Sequence, residues 1–278
     1  MPVIETGIGR IDTISWGDGG ADLLLLLHAS CTGPRAYAGS AERLAAPDRH
    51  IVAPAFVGYG ATRIDADADR TAQNCRLAQA LLDNDRSARR VLFGHSMGGL
   101  IALDAACDAA QRDRPVDALI LYEPILHGFL DPGDPADADA LAWDREIIEP
   151  AIADIRAGRP EAGVRRFLEA WNDTKWADLP DRVRQQLVGN ADTLVRESES
   201  LPGHTLGPDD VRTFDTPTLI LWGDRSPAFT RRAAANLASA VPEARAVPLD
   251  GAGHMAPLDT PDRVADAIEA FLASLETA

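Results

Sequence analysis

Residues 94–98 read Gly-His-Ser-Met-Gly, so a serine hydroxyl stands between two glycines in the pattern G-x-S-x-G. An apolar run, 91–93, precedes the pattern, and a helix-like segment, 100–110, follows it. A strand, a tight turn and a helix in this order are typical of a nucleophile elbow, which raises the serine hydroxyl above the end of a sheet. The sequence therefore predicts that Ser96 is the nucleophile of an acyl-transfer reaction. The alternative is a glycine-rich turn in which the serine has no catalytic role.

A serine nucleophile needs a neighbouring base, which is usually an imidazole. The chain has six histidines, and His254 differs from the others because it lies in a flexible turn, 250–255, that reads Asp-Gly-Ala-Gly-His-Met. The turn separates the last predicted strand from the last predicted helix, where a side chain can reach across the carboxyl edge of a parallel sheet. We therefore predict that His254 is the general base, the alternative being a loop histidine bonded to the backbone.

The elements that must position these residues follow an alternating pattern. Short apolar runs alternate with helical segments, which is typical of an α/β protein with a mostly parallel sheet and helices on both faces. Strands are predicted at 23–27, 51–55, 91–93, 116–122, 218–222 and 244–249, after a hairpin within 8–16. Helices are predicted at 40–46, 71–82, 100–110, 230–240 and 261–275, the last with Thr260 as its N-cap.

The segment 128–211 lacks the pattern of a buried strand. Residues 131–139 have the composition of a linker, rich in Asp, Pro, Ala and Gly. Helical patterns follow at 147–157, 160–171 and 181–199. We therefore expect a core made of residues 1–127 and 212–278, with a helical cap, 128–211, inserted into it.

These motifs resemble the alpha/beta-hydrolase fold family, in particular serine hydrolases with a helical cap. The likeness covers nearly the whole chain outside the expected cap, and its specific parts are residues 94–98, residues 251–254 and the loop at His28. It implies an eight-stranded, mostly parallel sheet and a triad of serine, acid and histidine. It also implies an oxyanion hole made by the backbone N–H groups of Met97 and Ser30. The chain departs from the family pattern at Ala29, where a glycine is usual.

A further departure from that family concerns the acid. The family typically reads Gly-x-x-Asp-Pro after its seventh strand, whereas residues 223–227 read Gly-Asp-Arg-Ser-Pro, so Ser226 takes the place of the aspartate. A hydroxyl cannot stabilise an imidazolium as a carboxylate does. Two other carboxylates are candidates, Glu123 at the end of the apolar run 118–122 and Asp224. We expect Glu123, as in family members that carry the acid after that strand, with its carboxylate bonded to the ring nitrogen of His254 that faces away from Ser96.

Several side chains of the expected cap and of the His28 loop are candidates for the substrate pocket. They are His28, Cys31, His127, Phe129, Trp171 and Trp176. For most of the aromatic residues the alternative is that they pack the cap helices onto the core. Cys31 is also an alternative nucleophile, although it lacks an elbow.

The composition of the chain limits the classes of molecule that it is expected to bind. The chain has 43 Asp and Glu against 27 Lys and Arg, and its net charge of −16 repels nucleic acids and anionic membranes. Three cysteines are too few for a disulfide framework, and no metal-ligand spacing of Cys and His occurs. The N-terminal residues lack the pattern of a signal peptide. We expect a cytoplasmic enzyme, monomeric or homodimeric, with a small-molecule substrate and neither a nucleic-acid nor a membrane partner.

The expected chemistry is acyl transfer, which requires no metal or organic cofactor. A serine nucleophile argues against the dehalogenases and epoxide hydrolases of the family, which use aspartate. We therefore expect a cofactor-free serine hydrolase that cleaves a small or medium ester, lactone or thioester through an acyl-enzyme. Carbon–carbon bond hydrolysis and perhydrolysis need the same triad and are alternatives. A ligand-binding protein without activity on the same scaffold is another.

Overall fold

The computed structural model of the 278-residue chain describes residues 3–17, 20–64, 69–204, 206–242 and 244–277. These residues form nine strands: β1 (Val3–Thr6), β2 (Gly9–Trp16), β3 (Asp22–Leu27), β4 (Arg49–Pro54), β5 (Arg63–Ile64), β6 (Arg89–His95), β7 (Ala118–Tyr122), β8 (Thr218–Gly223) and β9 (Arg245–Leu249). They make one sheet in the order β1-β2-β4-β3-β6-β7-β8-β9, with β5 paired to β2.

The sheet is mostly parallel, as predicted. Strands β3, β4 and β6 to β9 run parallel to one another, whereas β2 pairs antiparallel with β1, β4 and β5. The expected number of eight strands was wrong by one, because the two-residue strand β5 also pairs with β2. The predicted hairpin also begins earlier than expected, since β1 starts at Val3.

The run of leucines in β3 shows why the sheet lies inside the molecule. Side chains alternate across a strand, so Leu23, Leu25 and Leu27 pack on one face while Leu24 and Leu26 pack on the other. All five are buried. Each fully buried leucine side chain contributes about 1.5–3 kcal/mol to folding. A strand that is apolar on both faces therefore needs helices on both sides of the sheet.

The described residues form ten α-helices: α1 (Ala38–Leu44), α2 (Arg70–Asn84), α3 (Met97–Gln111), α4 (Pro135–Arg156), α5 (Pro160–Trp171), α6 (Asp181–Gly189), α7 (Ala191–Ser200), α8 (Ala228–Ala240), α9 (Ala256–Asp259) and α10 (Pro261–Leu275). Helices α2, α3 and α8 pack on the face of Leu25. Helices α1 and α10 pack on the face of Leu24. The predicted α/β fold class is confirmed.

Residues 128–211, called the helical insertion below, join β7 to β8 and carry α4 to α7. The described residues of the insertion contain no strand. The linker predicted at 131–139 was wrong, because α4 begins at Pro135. The Asp134 side chain accepts hydrogen bonds from the N–H groups of Ala136 and Asp137, so an aspartate and a proline that suggested a linker in fact start a helix.

One other helix prediction needs correction. The helix expected at 181–199 is divided into α6 and α7 at Asn190. Thr260 is the N-cap residue of α10, as predicted, but its side chain makes no capping bond. Its hydroxyl instead donates to the carbonyl of Ala256, one turn earlier.

Candidate active site

Ser96 lies in a sharp turn between the end of β6 and the start of α3. Its φ of 58° and ψ of −122° are costly for a residue with a side chain. The flanking glycines allow the turn, since a Cβ on Gly94 would lie 2.3 Å from the Gly98 carbonyl oxygen and one on Gly98 would lie 2.1 Å from that of Leu27. The close passage of three chain segments therefore excludes side chains at 94 and 98.

His254 lies between Ser96 and Glu123. Its Nε2 is 3.1 Å from Ser96 Oγ, and its Nδ1 is 2.7 Å from Glu123 Oε2. All three groups are sheltered from water, with exposed fractions of 7% for Ser96, 5% for His254 and 0% for Glu123. When Nδ1 carries the ring proton, it donates a hydrogen bond to the carboxylate, and Nε2 is free to accept the serine proton. The hydrogen bond predicted between Glu123 and the far nitrogen of His254 is present.

The carboxylate of Glu123 is held on its other oxygen as well. Glu123 Oε1 accepts the N–H of Gly223, at 2.7 Å, and the hydroxyl of Ser226. These two bonds fix the orientation of the carboxylate, so that Oε2 faces His254. Asp224, the alternative acid, is exposed, and its Oδ1 accepts the N–H of Gly251 at 2.7 Å. It makes no hydrogen bond to His254, so the geometry favours Glu123.

Two side chains fix the loop that carries His254. His95 Nε2 donates to the carbonyl of His254 at 2.8 Å, and Tyr122 Oη donates to that of Gly253 at 2.7 Å. Burial, and then the nearby His254, hold the pKa of His95 well below its ordinary value, so His95 is a neutral donor. The role of Tyr122 was not predicted. Its position at the end of β7, one residue before Glu123, was the only signal in the sequence.

The residues expected to supply the oxyanion hole are neighbours. Ser30 Oγ lies 3.5 Å from Met97 Sδ. Met97 is the first residue of α3, so its N–H has no acceptor within the helix. The next N–H in the loop, that of Cys31, is already used, because it donates to Tyr59 Oη at 2.6 Å. The use of Ser30 and Met97 as oxyanion donors stays a prediction.

Two cavities meet at Ser96. The main cavity, of about 350 Å³, is lined by Ser96, His254, Cys31, Leu168, Trp171 and Leu187. The inner cavity, of about 50 Å³, is lined by Ser96, Ser30, Ile125, His127, Asp144 and Trp171. The Trp171 ring borders both and packs on His254, with 5.0 Å between ring centroids. A substrate at Ser96 therefore meets an apolar surface supplied largely by the helical insertion.

Three of the six predicted pocket residues line these cavities, namely Cys31, Trp171 and His127. In the inner cavity His127 Nε2 lies 3.0 Å from Asp144 Oδ2, which gives that cavity a polar wall. Burial and the nearby carboxyl of Glu197 raise the pKa of the Cys31 thiol far above its ordinary value. A buried thiol that stays protonated is a poor nucleophile, so the alternative role of Cys31 is not supported.

The other three predicted pocket residues, His28, Phe129 and Trp176, lie outside both cavities. His28 is fully buried, its Nδ1 donates to Ala29 O at 2.8 Å, and its Nε2 accepts the N–H of Phe56 at 3.1 Å. Burial lowers the pKa of His28 to about 4, so it is a neutral residue that fixes the loop after β3.

Phe129 and Trp176 fail as pocket residues for reasons of packing. Phe129 is buried beside α8, where its carbonyl accepts the side chain of Asn236 at 2.8 Å. Trp176 is buried within the helical insertion, and its Nε1 donates to Glu161 Oε1 at 3.2 Å. For these two aromatic residues the alternative of structural packing holds.

A second group of polar side chains lies apart from Ser96. The ligand atoms of Cys75, Asp104 and His204 lie within 4.8 Å of one another, so they could hold a metal ion. His204 Nε2 lies 3.0 Å from Asp104 Oδ2, and burial raises the pKa of the Cys75 thiol well above its ordinary value. A half-buried hydrogen-bonded cluster accounts for the same contacts.

Hydropathy adds one observation on membranes. None of the described helices combines the length and the apolar character that a bilayer-spanning segment requires.

Comparison with known proteins places this geometry in context. A family model described as the alpha/beta hydrolase family matches residues 24–267. Lipase LipV of Mycobacterium tuberculosis is 30% identical over 215 residues, which cover 68% of this chain and 78% of the lipase. An acetoin-cleaving-system dihydrolipoyllysine-residue acetyltransferase component from Pseudomonas putida is 26% identical over 259 residues; the match covers 92% of this chain but only 64% of that protein. A solved esterase from Exiguobacterium antarcticum matches with a TM-score of 0.77 at 18% identity, over 98% of both chains, which concerns the fold alone.

Proposed function

Because this chain belongs to the alpha/beta hydrolase family, we propose that it is a serine hydrolase that cleaves a small or medium carboxylic ester, lactone or thioester through an acyl-enzyme. The observation that carries the proposal is the position of His254, which bonds Ser96 Oγ with one ring nitrogen and Glu123 Oε2 with the other. The lipase named above supports an ester as the bond that is cleaved.

The proposed reaction has two steps. His254 Nε2 takes the hydroxyl proton while Ser96 Oγ attacks the carbonyl carbon, and the same proton then passes to the leaving alcohol or thiol. In the second step His254 takes a proton from a water molecule, whose oxygen attacks the acyl-enzyme. The proton then passes to Ser96 Oγ as the acyl C–O bond breaks, which releases the acid and free Ser96. Glu123 accepts the hydrogen bond of Nδ1 throughout and stabilises the imidazolium that forms in each step.

The negative oxygen that forms on the carbonyl needs donors. We assign this role to the backbone N–H groups of Met97 and Ser30. The N-terminus of α3 adds its positive dipole at the same place, because the helix begins directly after Ser96. Each such donor typically contributes a factor of about 10²–10³ to kcat.

We also propose that the helical insertion is a cap that determines which substrates fit. Trp171 and Leu187 of the insertion line the main cavity together with Cys31 of the core. A cavity of about 350 Å³ suits a small or medium ligand rather than a polymer. The net charge of −16 also fits a small-molecule substrate better than a nucleic acid.

The test is a hydrolysis screen with p-nitrophenyl esters of increasing acyl length, run beside lactones and thioesters, with labelling by a fluorophosphonate. We expect turnover of at least one of these substrates and one label, at Ser96. Matched Ser96→Ala protein is the control for background hydrolysis. A wild-type protein that neither turns over these substrates nor takes the label would overturn the proposal.

A further inference from the structure

Glu197 is a fully buried carboxyl group that the proposed reaction does not use. It lies on α7 of the helical insertion, and its Oε2 accepts the hydroxyl of Tyr59 at 3.0 Å. Burying a carboxyl group is costly, and a well-packed apolar side chain often serves stability as well or better. A buried acid near a candidate active site therefore suggests a role other than packing.

Tyr59 connects Glu197 to the oxyanion loop, defined here as residues 28–32. Tyr59 Oη accepts the N–H of Cys31 at 2.6 Å while it donates its own proton to Glu197. Cys31 has a φ of 65°, in the left-handed region that is unfavourable for a residue with a side chain. Such a backbone conformation persists only where its surroundings fix it, and the hydroxyl of Tyr59 is one such constraint.

Helix α7 is also docked against the turn that carries Tyr59. Thr193 precedes Glu197 by one helical turn and lies on the same face of α7. Its hydroxyl donates to the carbonyl of Gly58 at 3.3 Å, and a Cβ on Gly58 would lie only 2.6 Å from that hydroxyl oxygen. The relative position of Glu197 and Tyr59 is therefore set by close packing as well as by their hydrogen bond.

Groups from several elements face the Glu197 carboxyl. They are Tyr59 after β4, Ser30 and Cys31 after β3, and the partly buried Arg70 at the start of α2. Burial raises the pKa of Glu197 to about 7, against the opposing effects of Ser30, Tyr59 and Arg70. The carboxyl group therefore changes its charge near neutral pH.

We propose that Glu197 and Tyr59 are positioning residues for the oxyanion hole, through the bond that Tyr59 makes to Cys31. An ionised carboxylate can only accept, so the Tyr59 hydroxyl donates its hydrogen bond to Glu197, and the Tyr59 oxygen is left to accept the Cys31 N–H. This bond fixes the peptide plane between Ser30 and Cys31, and with it the backbone of Ser30, our proposed oxyanion donor. The inference rests on the proposed function, because it concerns catalysis by the same site.

Protonation of Glu197 removes the fixed order in which Tyr59 donates to Glu197 and accepts from Cys31. A neutral carboxyl group has a proton to donate, and it can give that proton to the Tyr59 oxygen in competition with the Cys31 N–H. The loop then loses part of its support without any change in side-chain volume. The helical insertion would thus control the geometry of the oxyanion loop through one ionisable group.

The experiment compares Glu197→Gln with wild type in kcat and KM for ester hydrolysis across pH. Near pH 8 we expect kcat of the variant to be lower by about tenfold, the factor for one hydrogen bond of ordinary strength, with KM little changed. Below about pH 6 the difference should disappear, since wild-type Glu197 is then protonated too. A purely structural role would give a ratio of the two kcat values that does not depend on pH.

Two further variants complete the test. Glu161→Gln is the matched control, because Glu161 also lies in the helical insertion and accepts a hydrogen bond, but from Trp176. Tyr59→Phe should lower kcat at every pH, and adding Glu197→Gln to it should cause no further loss. If Tyr59→Phe does not fold, Glu197→Gln decides alone, since its side chain has nearly the same volume.

The outcomes separate the two proposals. An active wild type whose kcat and pH profile are unchanged by Glu197→Gln would overturn this inference and leave the proposed function intact. A kcat ratio independent of pH would also overturn it. A wild type without hydrolase activity would overturn the proposed function, and this inference with it.

Discussion

Ser226 donates its hydroxyl hydrogen bond to Oε1 of Glu123, although the two residues are 103 positions apart in the chain. Ser226 occupies the place where an aspartate is usual in the alpha/beta hydrolase family. The carboxylate that reaches His254 is instead that of Glu123, which directly follows the neighbouring strand β7. The residue at the usual position of the acid thus holds the Glu123 carboxylate in place. Since both residues are buried, the pair also keeps water away from the carboxylate.

The first prediction concerns this acid. Glu123→Gln keeps the shape of the side chain but allows the ring of His254 to adopt the wrong tautomer. We expect kcat to fall by about 10⁴-fold, the loss seen when the equivalent acid of a serine protease becomes an amide. Asp224→Asn is the control and should change kcat little. Steady-state kinetics on the best ester measures both losses in kcat. A larger loss in Asp224→Asn than in Glu123→Gln would contradict the prediction.

The second prediction concerns the nucleophile. Ser96→Ala removes the attacking oxygen, so kcat should fall by about 10⁶-fold, as it does when a hydrolase loses its serine. Labelling by a fluorophosphonate should disappear, while the far-ultraviolet circular dichroism spectrum stays that of the wild type. Mass spectrometry of peptides from the labelled wild type identifies the residue that carries the label. A label that persists at Cys31 or at another serine would move the nucleophile away from the elbow.

The third prediction concerns substrate length. Trp171 borders both cavities, so Trp171→Leu opens space next to Ser96. We expect the ratio of kcat/KM for an octanoyl ester to that for an acetyl ester to rise by about tenfold, the effect of one or two methylenes in an apolar pocket. Trp176→Leu is a matched control, since Trp176 is equally buried but lines neither cavity. Equal shifts in both variants would contradict the proposed role of Trp171.

Local patterns were sufficient to predict the parts of the site that depend on one turn or one strand end. The glycines at 94 and 98 indicated the elbow, and the turn 250–255 indicated His254. Strand β3 was equally clear, because five consecutive leucines suit only a strand buried on both faces. In each case the information lies in a few neighbouring residues.

The remaining contacts could not be predicted because they join distant parts of the chain. Tyr59 and Glu197 are 138 positions apart, and nothing around Glu197 in the sequence distinguishes it from the exposed Glu199 of the same helix. Trp171 and Trp176 were equivalent as candidates. The packing of α5 places only Trp171 over Ser96, and the direction in which an inserted helix faces depends on tertiary contacts.

The last prediction concerns folding stability, and its sign follows from the pKa of Glu197. Burial raises that pKa from 4.5 to about 7. Between these values the folded protein holds a proton that the unfolded chain releases. The contribution of Glu197 to the free energy of unfolding therefore decreases as pH rises through this range, by about 3 kcal/mol in total at about 1.4 kcal/mol per pKa unit.

A comparison with Glu197→Gln isolates this contribution, because glutamine does not titrate and the other acidic groups are the same in both proteins. We expect wild type to gain on the variant near pH 5 and to lose that advantage near pH 8, with the change centred between the two pKa values. Urea unfolding at both pH values measures it. Glu161→Gln, measured in the same way, is the control for the loss of a glutamate from the helical insertion. If Glu197→Gln shows a constant difference, then Glu197 keeps one charge state throughout, and the pH-dependent control of the oxyanion loop is wrong.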